Sequence, residues 1–272
     1  MIILDNRANR SFISLLRSKS AVTQEEKGLS LADVPVLIPA GGLAKRLKEY
    51  AKDTPKSLID VGGEPFISHQ LKLLKREGAG KVMLLVGHLA DQIKDFVKDG
   101  SAFGLDVSYS SDGPKGLGTG GCINKAWQDG GFEEFAVIYG DTYLDISMTP
   151  VYQAFKTAAL PALMTVLENN NQWQVSNVEY DQQSNKIAAY DKIHPTEKMH
   201  HIDFGMSFFK KSAFDSCKKK KSFDLGLVFQ TLANASLLAG YEVHRRFYDL
   251  NSPESLIETR AYLGQNKLWQ FQ

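Results

Sequence analysis

The apolar run Val34–Ile38, broken by Pro35, stops at Pro39-Ala40-Gly41-Gly42. It reads as a buried strand, and the paired glycines bring bare backbone N–H groups to the end of a sheet. From there strand-like runs alternate with helical patterns. Strands are expected at 34–38, 81–86, 106–110 and 135–139, and helices at 65–77, 89–98 and 119–127. The alternation predicts right-handed βαβ units: an α/β fold with a mainly parallel sheet and helices on both faces. Gly78-Ala79-Gly80 supplies a helix stop before the strand at 81–86. The second half is more mixed. Strands are expected at 162–167, 175–180, 186–191 and 201–209, then helices at 222–239 and 253–263. Ser252 caps the last of these, with Pro253 in its first turn.

Residues 1–33 read differently. Phe12, Ile13, Leu15 and Leu16 lie at helical spacing among Arg and Ser, and a polar stretch from Thr23 to Gly28 follows. This is the expected N-terminal helical extension and linker, with residues 34–272 as the main domain. At 272 residues the chain can bury a large core. A net charge of +1 argues against a general nucleic-acid binder, which carries a basic excess. No apolar run approaches the roughly 18 residues of a membrane helix. Asp5, Arg7 and Arg10 interrupt any signal-peptide core, so the expected location is cytoplasmic, with no membrane partner. Cys122 and Cys217 lack metal-ligand spacing and are expected to be reduced and structural. Nothing in the sequence selects an oligomeric state.

Four constellations can carry chemistry. Beyond Gly41-Gly42 stand Arg46 and Lys56, whose cationic side chains suit a polyphosphate held at a strand end. The glycine spacing is neither GxGxxG nor the P-loop pattern, which disfavours a nicotinamide enzyme and an ordinary P-loop NTPase. After the strand at 106–110 comes Asp112-Gly113-Pro114-Lys115-Gly116-Leu117-Gly118-Thr119-Gly120-Gly121. Its glycines let backbone approach a flat ligand closely. Asp141, in Tyr139-Gly140-Asp141, lies just past a buried-type strand, where ligands of open α/β sheets bind. A carboxylate beside a polyphosphate is a natural Mg²⁺ ligand, and Asp249, before Leu250-Asn251-Ser252-Pro253, can supply a second.

Together these segments resemble the sugar-1-phosphate nucleotidylyltransferases, the nucleoside-diphosphate-sugar pyrophosphorylases. The family's strand–AGGxGTRL signature, with PK about ten residues after the Arg, corresponds to Ala40-Gly41-Gly42-Leu43-Ala44-Lys45-Arg46-Leu47 and Pro55-Lys56. The likeness continues through Val61-Gly62-Gly63-Glu64-Pro65-Phe66-Ile67, Leu117-Gly118-Thr119-Gly120-Gly121, Gly140-Asp141 and Asp249, over roughly residues 34–263. The resemblance implies a Rossmann-like fold of the nucleotide-diphospho-sugar transferase type. It implies an enzyme that takes an NTP and a sugar 1-phosphate to an NDP-sugar and pyrophosphate, with Mg²⁺. On that resemblance Arg46 and Lys56 would be catalytic, holding the triphosphate and offsetting charge at the α-phosphate. Ala40, Gly41, Gly42, Asp112, Gly118, Thr119 and Gly120 would bind the nucleotide. Gly140, Asn177, Asp191, Lys192 and Asp203 would bind the sugar phosphate, Asp191–Lys192 standing for the family's acid–lysine pair. Asp141 and Asp249 would bind the metal.

Ala44-Lys45 departs from the family's Gly-Thr, which opens a second reading as a catalytically impaired regulatory relative. A cytidylyltransferase acting on a non-sugar phosphate is a third. The LGTGG loop resembles those of guanylyltransferases acting on heptose or mannose phosphates, and a related loop occurs in uridylyltransferases acting on amino-sugar phosphates; GTP is expected ahead of UTP or CTP. His88, His200 and His201 match no family role and are expected to be structural or on the surface.

Overall fold

The computed structural model describes residues 30–42, 45–47, 50, 53–113 and 116–266, with backbone alone for Lys45, Gln265 and Asn266. The expected helix around Phe12–Leu16, Ala44 and the Lys45 side chain lie outside the described residues. In chain order the first half holds β1 (Val36–Pro39), β2 (Asp60–Val61), β3 (Glu64–Pro65), α1 (Phe66–Arg76), β4 (Lys81–Val86), α2 (Ala90–Val97), β5 (Asp106–Ser111), α3 (Gly118–Gly130) and β6 (Glu134–Ile138). The second half holds β7 (Thr142–Tyr143), α4 (Met148–Ala158), β8 (Ala162–Glu168), β9 (Val178–Asp181), β10 (Lys186–Tyr190), β11 (His201–Lys210), α5 (Gly226–Asn234), β12 (Leu238–Val243), β13 (Tyr248–Asp249) and α6 (Pro253–Asn266).

Nine strands form one sheet in the order β5-β4-β1-β6-β11-β8-β12-β10-β9. β5, β4, β1 and β6 run parallel, as the βαβ alternation of the first half requires. The expectation of a mainly parallel sheet fails beyond β6. There β11 runs antiparallel to both β6 and β8, and β10 antiparallel to β12 and β9; only β8–β12 is parallel. The reason lies in the connections. β9 and β10 are joined by a tight turn, and no described helix lies between β8 and β11, so the chain reverses locally instead of crossing over. The sheet is therefore mixed.

Helices cover both faces, and β11 shows why. Its neighbours Phe208 and Phe209 point to opposite sides of the sheet, yet both are fully buried. Phe208 packs on Tyr152 and Phe155 of α4, with ring centroids 5.3 and 5.7 Å away. Phe209 packs on Phe135, Phe214 and Phe229 at 5.7, 5.5 and 5.7 Å. The helix expected at 222–239 is shorter. α5 stops at Asn234, Ser236 takes a left-handed φ of 59°, and Leu238–Val243 is strand β12. Apolar residues continue across that stop, so hydrophobic pattern alone could not mark it.

No helix among the described residues is long and apolar enough to cross a membrane. Cys122 and Cys217 are buried and free, as expected. Phe209→Ala should cost about 3–5 kcal/mol through the cavity it leaves. Phe96→Ala, at a ring 41% exposed, should cost under about 1 kcal/mol. Urea unfolding of the two variants checks the contrast.

Candidate active site

A cavity of about 620 Å³ opens beyond the carboxyl ends of β1, β5 and β6. The parallel register brings those ends together, and each contributes the residues just past its last strand position. Ala40, Gly41 and Gly42 follow β1, Asp112 follows β5, and Tyr139, Gly140 and Asp141 follow β6; all line the cavity. The fit is tight between neighbours. A Cβ on Gly140 would come within 2.3 Å of the Pro39 carbonyl oxygen, so only glycine lets the two strand ends converge there.

Lys56 stands at the centre. Pro55 leads into a short 3₁₀ turn, Lys56–Leu58, that aims the ammonium inward. Its Nζ donates to Asp141 Oδ2 at 2.6 Å and to Asn251 Oδ1 at 2.8 Å. Asn251 Nδ2 in turn donates to Asp249 Oδ2 at 3.0 Å, and Gln174 Nε2 donates to the same oxygen at 2.7 Å. Asp141 and Asp249 are distant in sequence but meet because β7 and β13 pair, with Thr142 opposite Asp249. The Leu250 amide also donates to the Asp141 carbonyl at 3.0 Å. Ser252 then caps α6 by accepting from the Ser255 amide at 3.2 Å, as its sequence predicts.

The second cationic group is Lys192. Its Nζ lies 2.6 Å from Asp224 Oδ1, which also accepts the Gly226 amide at 2.7 Å. Burial opposes ionisation of Asp224, but Lys192 and that amide hold its carboxyl below the usual range. Asp203 lies nearby, accepting the Tyr139 hydroxyl at 2.7 Å and the Gly205 amide at 2.9 Å. Burial outweighs those bonds and pushes its carboxyl up to about 6. Asn177 lines the same wall and accepts the Asp203 amide through Oδ1 at 3.3 Å.

Asp112 differs from the other carboxylates. Its Oδ1 is buried with no hydrogen-bond partner among the described residues, and burial pushes the carboxyl up to about 6, only partly opposed by Lys125. A buried acceptor left unpaired is costly unless a ligand completes it. Gly118 and Thr119 line the cavity beside it. Gly120 faces elsewhere: a Cβ there would meet the Phe223 ring at 2.4 Å, and its amide donates to the Phe223 carbonyl at 3.0 Å. Gly120 therefore serves a close packing contact that positions the loop.

Two further expected site residues are not among the described residues that line the cavity. Asp191 is one: its carboxylate accepts the amides of Ile193 and His194 at 2.8 and 2.9 Å and caps a local turn. The lysine's acidic partner is Asp224, which the sequence reading missed. Arg46 is exposed and lines an adjoining groove, with Asp249, Asn251 and Lys192, instead of the cavity itself. Asn251 and Gln174 were also missed. Asn251 lies inside a segment already singled out, whereas nothing in its neighbourhood marks Gln174.

Among the described residues no three His, Cys, Asp or Glu side chains gather as a ready metal cage. Asp141 and Asp249 are nonetheless an oxygen donor pair on one wall. That set fits a hard cation that takes its remaining oxygens from phosphate and water.

A strand-end cavity carrying a clasped lysine, two aspartates and a second cation is suited to an anionic ligand taken together with a cation. Residues 35–265 match the family described as Nucleotidyl transferase, and the chain belongs to it, within the sugar-1-phosphate nucleotidylyltransferases. The chain is 34% identical over 231 residues to the N-acetylmuramate alpha-1-phosphate uridylyltransferase of Neisseria meningitidis, covering 84% of this chain and 97% of that one. It is 28% identical over 187 residues to the D-glycero-alpha-D-manno-heptose 1-phosphate guanylyltransferase of Campylobacter jejuni, covering 69% and 80%. The fold is shared with the crystal structure of HddC from Yersinia pseudotuberculosis, at TM-score 0.72 and 21% identity, covering 85% and 99%. Enzymes of this family generally use divalent metal ions.

Gly140→Ala should force Asp141 away from Lys56 and cost about 1–3 kcal/mol, as other overpacked sites do. Gly42→Ala, whose Cβ would meet nothing within 4 Å among the described residues, should leave the melting temperature near wild type. Thermal unfolding of both variants distinguishes a packed strand end from a merely flexible one.

Proposed function

We propose that the chain transfers GMP from GTP to a sugar 1-phosphate of heptose or mannose type, releasing pyrophosphate. The observation that carries the reaction class is the Lys56 ammonium held between Asp141 and the Asn251–Asp249 pair, with Lys192 on the same cavity. A sugar phosphate is already an anion at neutral pH, so its oxygen can attack the α-phosphorus in line without a general base. Catalysis then rests on positioning and charge neutralisation. Lys56 offsets charge at the α-phosphate, Lys192 holds the acceptor phosphate, and Gly41 and Gly42 offer backbone to the nucleotide. Arg46 reaches the phosphates from the adjoining groove. Asp203 and Asn177 orient the sugar. Asp141 and Asp249 would hold Mg²⁺, which when bound supplies further positive charge beside the transferred phosphate.

Asp112 favours guanine. An ionised carboxylate can accept from both the N1–H and the N2 amino group of that base, satisfying the orphaned Oδ1. Uracil offers a single N3–H flanked by two carbonyls, which repel a carboxylate. The competing reading is UMP transfer from UTP to an N-acetylmuramate-type 1-phosphate, motivated by the 34% identity to the Neisseria enzyme. A protonated Asp112 would suit uracil better, so the two readings separate by pH.

Pyrophosphate release over a panel of NTPs and sugar 1-phosphates tests the proposal, with GTP expected to lead. Lys56→Ala should lower kcat by about 10²-fold or more without unfolding the protein. Nucleotide binding without turnover over the whole panel would favour an impaired regulatory relative, with Ala44-Lys45 the departure to examine. Chelation should abolish release and added Mg²⁺ restore it.

The pH test has a definite sign. The Asp112 carboxyl titrates at about 6 in the fold, above its ordinary 3.8, so its neutral form is favoured by folding. That stability is fully present below the ordinary value and is lost as pH rises through about 6. Binding of guanine needs the ionised form, so the preference for GTP over UTP should grow across the same window. Asp112→Asn should flatten that dependence and lower kcat/KM for GTP by about tenfold. An unchanged GTP preference in the variant would contradict the role.

A further inference from the structure

The segment Phe223–Gly226 joins two parts of the cavity that sequence places far apart. Its Phe223 amide donates to the Leu117 carbonyl at 3.0 Å, and the Phe223 carbonyl accepts the Gly120 and Gly121 amides at 3.0 and 3.1 Å. The Leu225 amide donates to Thr119 Oγ1 at 3.0 Å, and that hydroxyl donates to Asp224 Oδ2 at 3.3 Å. The glycine loop after β5 is thus stitched to the start of α5. The other oxygen of Asp224 holds Lys192 at 2.6 Å. One carboxylate therefore touches both the nucleotide loop and the lysine of the acceptor end, and it lines the cavity itself.

We propose that Asp224 is the positioning residue that sets Lys192 for the acceptor phosphate and ties that lysine to the nucleotide loop. This rests on the nucleotidyl-transfer reading given above. A free lysine carries a four-carbon stem with many rotamers, and a charge-assisted bond to a fixed carboxylate removes most of them before substrate arrives. Asp224 is itself fixed by the Gly226 amide and Thr119, so it is a rigid post. When the acceptor phosphate enters, Lys192 meets it from a set position and pays little ordering entropy.

The test uses the wild-type protein, Asp224→Asn, Lys192→Ala and the double variant, with the sugar 1-phosphate that releases pyrophosphate fastest in the panel. Asn keeps the volume and an acceptor for the Gly226 amide but removes the charge opposite Lys192. Asp224→Asn should raise KM for the sugar 1-phosphate by about tenfold or more, the range of one hydrogen bond to a charged group. Its KM for the NTP should stay within about twofold, and its melting temperature near wild type. The double variant should be no worse than Lys192→Ala alone, because both changes remove one interaction. A KM for the sugar phosphate that stays level or falls in Asp224→Asn would overturn the inference. So would additive losses in the double variant, or a KM for the NTP that rises equally. A wild-type chain inactive across the panel would sink the functional reading itself, and this inference with it; an active wild type isolates the failure to Asp224.

Discussion

The site is organised by the hydrogen bonds that clasp Lys56. Its ammonium accepts nothing and donates to Asp141 and Asn251, so it fixes the distance between the turn after β6 and the turn after β13. Those turns are remote in sequence, and the short β7–β13 ladder is what brings them into register. A partly buried lysine is tolerable there because both neighbours are acceptors and one is a carboxylate. Without the ammonium, Asp141 would lose its cationic partner, and Asn251, which reaches Asp249, would lose its donor. The same arrangement suits a substrate that arrives with negative charge of its own, since phosphates can share the cation while a metal relieves the carboxylates.

The sheet explains why this cluster lies where it does. Parallel strands β1, β4, β5 and β6 deliver four loops to one edge, which is the usual location of ligands in open α/β sheets. The antiparallel half has another task. β11 returns beside β6 and carries Asp203 into the same cavity, and the β9–β10 hairpin places Lys192 just past its end. The mixed topology is thus what lets the glycine-rich loops and Lys192 line one cavity.

Much of this was legible from residue patterns. The β1 strand stopping at Gly41-Gly42 and the β6 strand stopping before Asp141 follow from apolar runs that end near glycine, and the β5 strand stopping before Asp112 from its place in the strand–helix alternation. What stayed hidden depended on contacts between remote segments. Asp224 sits in Ser222-Phe223-Asp224-Leu225, which alone reads as a helix start, and only the fold places Lys192 against it. Asp191 and Lys192 are adjacent in sequence and expected together at the sugar phosphate, yet the Asp191 carboxylate is held by two local amides. β12 was lost inside an expected helix because apolar residues ran through the break at Ser236.

The central claim is that this cavity moves a nucleoside monophosphate onto a phosphate acceptor. The most direct measurement follows a radiolabel placed separately on the α- and γ-phosphates of GTP, with the active sugar 1-phosphate present. The account predicts α-label in the nucleotide sugar and γ-label in pyrophosphate. Label appearing instead in free nucleoside monophosphate or in inorganic phosphate, with none in the sugar product, would contradict it.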